Sequence, residues 1–204
     1  MLHVDVKRAR RPAEVAVAAG VVWLAGISPV PGVYLEPDPG RRLAMLRKGR
    51  RSWVVGQHVA AAGTAAMPAA FARLALALPA GRPRTLVGTA AVALAAGAPL
   101  FISQLAVRAS DLERFAERRL PGWPFLSYAW LHVLALGSLS GALAGLPDKE
   151  KEAAAVGLAA LGSGVVLAKT GDIPPFVFYL AEQLAAASFL GRKKALPPGM
   201  GTRA

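Results

Sequence analysis

His58, His132 and Glu182 stand inside stretches that otherwise carry almost no charge. Two imidazoles and a carboxylate are the donor set of a zinc or iron site, since neutral ring nitrogen and carboxylate oxygen both suit those ions. Two histidines alone would serve as axial ligands to a haem. A glutamate beside imidazoles would instead relay protons through an apolar interior. Three amides join them: Gln57 adjoins His58, Gln183 adjoins Glu182, and Gln104 stands in a further apolar segment. The plainest use of such polar groups is hydrogen bonding across neighbouring helices, which fixes packing without chemistry.

Counting residues gives their depths. Measured from the polar ends of their segments at Ser52, Pro124 and Pro174, His58 lies ~9 Å in, and His132 and Glu182 ~12 Å in, at 1.5 Å of rise per residue. Gln104, four residues before Arg108, approaches the same level. The expectation is one shared polar layer, with His58, His132 and Glu182 as a candidate metal site and Gln57, Gln104 and Gln183 around it. A second feature is Gly137, Gly141 and Gly145 at every fourth position. That spacing lays three glycines on one helix face, where a neighbouring helix in the bundle or a second copy can approach closely.

The elements that must position these residues are apolar helices. Of the 204 residues 54% are hydrophobic and only 18% charged, and mean hydropathy is +0.42. The charges cluster at the ends of apolar runs, as a bilayer requires. Six spans are expected: about Ala13 to Leu35, Trp53 to Leu78, Thr85 to Val107, Pro124 to Leu146, Ala153 to Ala168, and Pro174 to Leu190. The fold class is therefore all-α, a polytopic transmembrane bundle with short interfacial helices. A basic tail (1–12) precedes the helical domain (13–191), and a basic, disordered tail (192–204) follows it.

Local signals refine this outline. Lys7, Arg8, Arg10 and Arg11 before an apolar run imitate a signal peptide, but no small-x-small cleavage site follows, so the run reads as the first span. Pro12 suits its first helical position, and Pro29 with Pro31 ends it near Ser28. A re-entrant or surface-lying segment is the alternative for this run. Residues 36–51 are strongly basic, with Leu43, Met45 and Leu46 available to lie on lipid. Ser110-Asp111-Leu112-Glu113 reads as a capping box that opens a short amphipathic helix to Arg119. Trp123, Tyr128 and Trp130 read as interfacial anchors.

The net charge of +12 would suggest nucleic acid in a soluble chain. Here the basic residues flank apolar segments, so anionic headgroups are the expected partner, and no nucleic-acid motif is present. Lys and Arg divide almost evenly between the two sides, with a small excess that places both termini in the cytoplasm. Cysteine is absent, which excludes disulfides and thiol chemistry. No nucleophile elbow, H-E-x-x-H or phosphate-binding glycine loop occurs.

Gly162-Ser163-Gly164 leading through Lys169-Thr170-Gly171-Asp172-Ile173-Pro174-Pro175-Phe176 resembles a pattern of small uncharacterised polytopic membrane families. There a glycine-bearing helix turns into a last span that starts on an aromatic. Leu131-His132-Val133-Leu134 is similar to histidine-bearing helices of membrane cytochromes, although repeated histidine pairs are missing here. The chain as a whole reads as a multi-pass membrane protein with no recognisable enzymatic pattern, permease-like or an accessory subunit, with a membrane-protein or homo-oligomeric partner. The other reading is a membrane redox or metal-binding protein built on His58, His132 and Glu182.

Overall fold

A computed structural model describes residues 6–190. Residues before Val6, including His3, and the basic tail from Arg192 to Ala204 lie outside it. Among the described residues the chain is all-helical: α1 (Val6–Ile27), a 3-10 turn (Pro31–Tyr34), α2 (Pro39–Lys48), α3 (Arg50–Ala77), α4 (Arg82–Ser110), α5 (Leu112–Ala116), α6 (Gly122–Ala144), α7 (Glu150–Thr170) and α8 (Phe176–Ala187).

Four of these, α3, α4, α6 and α7, are long and apolar enough to cross a bilayer. That is compatible with an integral membrane protein. Six spans are not established. Helix α1 has 22 residues, but it starts inside the basic segment and carries Pro12 in its second turn rather than at its start. Helix α8 has 12 residues, only about 18 Å of rise. Surface chemistry is compatible with a lipid surround: Leu76, Val92, Leu158 and Leu161 are 70–71% exposed, as outward apolar side chains in a bilayer would be.

The long helices pack in sequence, α1 on α3, α3 on α4, α4 on α6 and α6 on α7. Helix α8 closes the row by touching α1, α6 and α7. Alanine dominates the interior, which lets helix axes approach and gain dispersion contacts. The closest approach joins α1 to α3. A Cβ on Gly26 would stand 2.6 Å from the Gly56 carbonyl oxygen, and one on Gly63 would stand 2.7 Å from that of Ala19. The close approach expected along the Gly137 series forms only in part: a Cβ on Gly137 would meet open space, while one on Gly141 or Gly145 would stand 3.2 Å from Leu86 or 3.3 Å from Pro83 of α4.

One end of the bundle is capped by the 3-10 turn, α2 and α5. Asp38 caps α2 by accepting from the Arg41 amide at 2.7 Å, with Pro39 following it, the sequence order a helix start favours. Asp111 caps α5 by accepting from the Arg114 amide at 2.9 Å. The expected capping box is not formed, because Ser110 ends α4 and its hydroxyl donates back to Ala106. Leu46 does not lie on lipid; it packs with Val33, Trp53 and Ala116 in a small core. Buried Arg42 pins this cap, donating to the carbonyls of Ala116, Glu36 and Pro37. Gly171, at φ +69, ends α7 in the left-handed conformation that favours glycine.

Candidate functional site

His132 and Glu182 meet in the core. They lie 50 residues apart in sequence, and His132 Nδ1 stands 2.5 Å from Glu182 Oε1. Relative exposure is 3% for the histidine and 0% for the glutamate. Helix α6 supplies the imidazole and α8 the carboxylate. The Pro174-Pro175 turn starts α8 so that its second turn reaches the level of His132.

Aromatic rings wall the pair. Tyr128, one turn before His132 on α6, lies 4.2 Å from the imidazole, and Phe178, one turn before Glu182, lies 5.1 Å from it. Tyr179 stands 5.8 Å away and stacks on Trp23 of α1 at 4.0 Å. Phe101 of α4 stacks on Tyr128 at 4.3 Å. The Tyr179 hydroxyl meets Thr64 Oγ1 of α3 at 2.8 Å. Five helices therefore converge on one buried pair.

Several polar atoms here have no well-formed hydrogen bond within the protein, among them Glu182 Oε2, Trp23 Nε1 and Arg108 Nε, while the Tyr128 hydroxyl lies beside that of Tyr179 and the Gln57 amide beside Tyr34. Gln57 and Arg108 belong to the ends of α3 and α4 beneath the cap, and Tyr128 lies between that end and the pair. Towards the other end the core turns apolar, with Phe71, Leu74, Val87, Leu94, Leu139 and Leu143 all buried. Arg108 sits against ring faces, its guanidinium carbon 5.5 Å from the Phe101 centroid and 5.4 Å from that of Phe115, a cation–π arrangement. Trp53 Nε1 donates to its carbonyl at 2.8 Å.

The remaining candidates divide. His58 is exposed on the outer face of α3, and its Nδ1 lies 2.8 Å from the Val54 carbonyl of its own helix. The structure does not bring it to the other two. Among the described residues no group of three or more His, Cys, Asp or Glu is placed to hold a metal ion. Gln104 is buried and donates to the Pro121 carbonyl at 2.9 Å, tying α4 to the start of α6. Gln183 points away from Glu182 and lies over Gly20 of α1.

Sequence reasoning missed Tyr128 and Tyr179. Tyr128 reads as an interfacial anchor beside Trp123 and Trp130; those two tryptophans are exposed, but Tyr128 is fully buried. The available signal was spacing, since Tyr128 and His132 are four apart, as are Phe178 and Glu182, and such pairs share a helix face.

No family model matches this chain, and neither a curated protein nor a solved structure does. The site must speak through its own geometry.

Proposed function

We propose that this is a multi-pass membrane protein, permease-like or an accessory subunit, whose inner His132–Glu182 pair takes up and releases one proton. The observation that carries the reading is the 2.5 Å contact between two side chains with almost no exposure. Neutral imidazole beside carboxylate leaves a net negative charge in an apolar interior, which costs several kcal/mol. One added proton makes the pair neutral, whether it resides on nitrogen or on oxygen. The pair is thus a two-state element, and buried ionisable groups in membrane interiors commonly serve proton pathways.

The partnerless atoms support a route to it. A buried polar atom without a partner costs about 1–3 kcal/mol, and bridging water removes that cost. Arg108 Nε and Glu182 Oε2 would hold such water between the capped end and the pair, while the apolar half beyond closes the other side. Access from one side at a time is what a proton-coupled carrier needs. Both termini are assigned to the cytoplasm on charge balance. The metal and haem readings fit less well, because His132 and Glu182 provide two ligands and His58 faces outward.

The test uses the full chain reconstituted in vesicles that enclose a pH-sensitive dye. An imposed pH difference should produce dye responses with the wild type that Glu182→Gln removes and His132→Asn weakens. Equal responses from all three would overturn the reading.

A further inference from the structure

The hairpin of α3 and α4 carries a second site, independent of the buried pair. On its outer face lies a groove of about 900 Å³. Small residues floor it, including Ala65, Pro68 and Ala72 from α3 with Gly88 from α4, and Leu76 and Val92 flank it. From Ala65 to Leu76 the groove follows α3 for about 16 Å, close to one leaflet of a ~30 Å hydrocarbon core. At the hairpin end the lining changes to Arg84 and Thr85.

Charge distinguishes this groove from an ordinary lipid-facing surface. From Arg50 to Ser110 the sequence contains no aspartate or glutamate. Arg73, Arg82 and Arg84 are all exposed near the hairpin, and none of the ion pairs among the described residues includes them. Arginine binds phosphate oxygens through a planar fork of donors. An apolar trough one leaflet deep, ending at the Arg84 guanidinium with no ion-paired carboxylate, is complementary in shape and charge to an anionic phospholipid.

The geometry points to a binding site for one anionic phospholipid, with an acyl chain along the alanine floor and the headgroup phosphate at Arg84; Arg73 and Arg82, exposed near the same end but outside the groove lining, add to the positive field there. Other occupants are distinguishable: a second copy of the chain would need no phosphate.

Native mass spectrometry of the full chain in detergent, with equal amounts of phosphatidylglycerol and phosphatidylcholine of identical acyl chains, tests the site. Phosphatidylglycerol should be retained preferentially. Each arginine near a membrane surface contributes about 1 kcal/mol to attraction for acidic lipid. Arg84→Gln should therefore lower the preference about fivefold, and the triple Arg73→Gln, Arg82→Gln, Arg84→Gln variant on the order of a hundredfold. A Cβ at Gly88 meets nothing within 4 Å, so Gly88→Leu fills the groove without disturbing the helix pair. It should weaken retention of both lipids while leaving the charges in place. Equal retention of the two lipids by the wild type would overturn the proposal. So would a preference that the arginine substitutions leave unchanged, or a dimer mass that Gly88→Leu abolishes.

Discussion

The hydroxyls of Thr64 and Tyr179 meet at 2.8 Å, and Thr64 also reaches the Ala60 carbonyl at 3.0 Å. A threonine hydroxyl has a single proton. Donation to Ala60 uses it, so Tyr179 is the donor of the shared bond. Thr64 is satisfied without Tyr179, whereas buried Tyr179 without Thr64 is left with the Tyr128 hydroxyl alone.

That asymmetry fixes an order of mutational cost. Thr64→Val keeps shape but takes this acceptor from the tyrosine hydroxyl, at about 1–3 kcal/mol. Tyr179→Phe removes the donor itself and should cost less, about 1 kcal/mol. Denaturant unfolding in detergent measures both; the reverse order would contradict the assignment.

Glycines should separate by what their faces meet. Gly63→Ala drives a Cβ to within 2.8 Å of the Trp23 backbone nitrogen, so α1 must shift, at roughly 1–3 kcal/mol. Gly137→Ala enters open space and gains up to about 1 kcal/mol of helix propensity. Thermal unfolding of the two variants should move in opposite directions.

Arg42 should behave as the pin of the cap. Arg42→Ala loses charge-assisted bonds to the carbonyls of Glu36, Pro37 and Ala116 and should cost roughly 3 kcal/mol. Arg42→Lys should recover little, because one ammonium cannot reproduce the fork. Limited proteolysis would show faster cleavage in the 36–50 segment for both variants, with the long helices α3, α4, α6 and α7 unaffected.

Acid should loosen the same segment. Glu36 Oε1 accepts from the Asp38 amide at 2.9 Å and from Arg41 Nε at 3.1 Å. The backbone bond first, then Arg41, holds its carboxyl below the usual range against some opposing burial. A lowered folded-state pKa gives stability that is present above the unfolded value and lost as pH falls through the folded one. Hydrogen exchange at the Asp38 amide should therefore be slower in the wild type than in Glu36→Gln at neutral pH. In acid, below the folded-state pKa, the two should converge once the intrinsic pH dependence of exchange is removed.

The sequence shows depth better than direction. Residue counts put His132 and Glu182 at one level, and the two do meet. They put His58 there as well, yet adjacent residues on a helix point about 100° apart, and α3 turns Gln57 inward and His58 outward. Nothing in composition sets that rotation; it follows from α1 packing on the Gly56 and Gly63 face. Those two glycines are seven apart, which is two turns and one face, but the pattern is hard to pick out among 21 glycines. The regular Gly137 series stood out more and packs less. Helix α1 starts at Val6, well before the Ala13 expected from hydropathy, while its end at Ile27 agrees with the proline break expected near Ser28.

Proton occupancy of the His132–Glu182 pair is the claim on which the functional account stands. Acid-minus-alkaline infrared difference spectra of the reconstituted protein report it directly, through carboxyl and imidazole vibrations. The account predicts a one-proton feature in the wild type that is absent from Glu182→Gln and altered in His132→Asn. Spectra that coincide for the wild type and Glu182→Gln, across the pH range in which both stay folded, would contradict it.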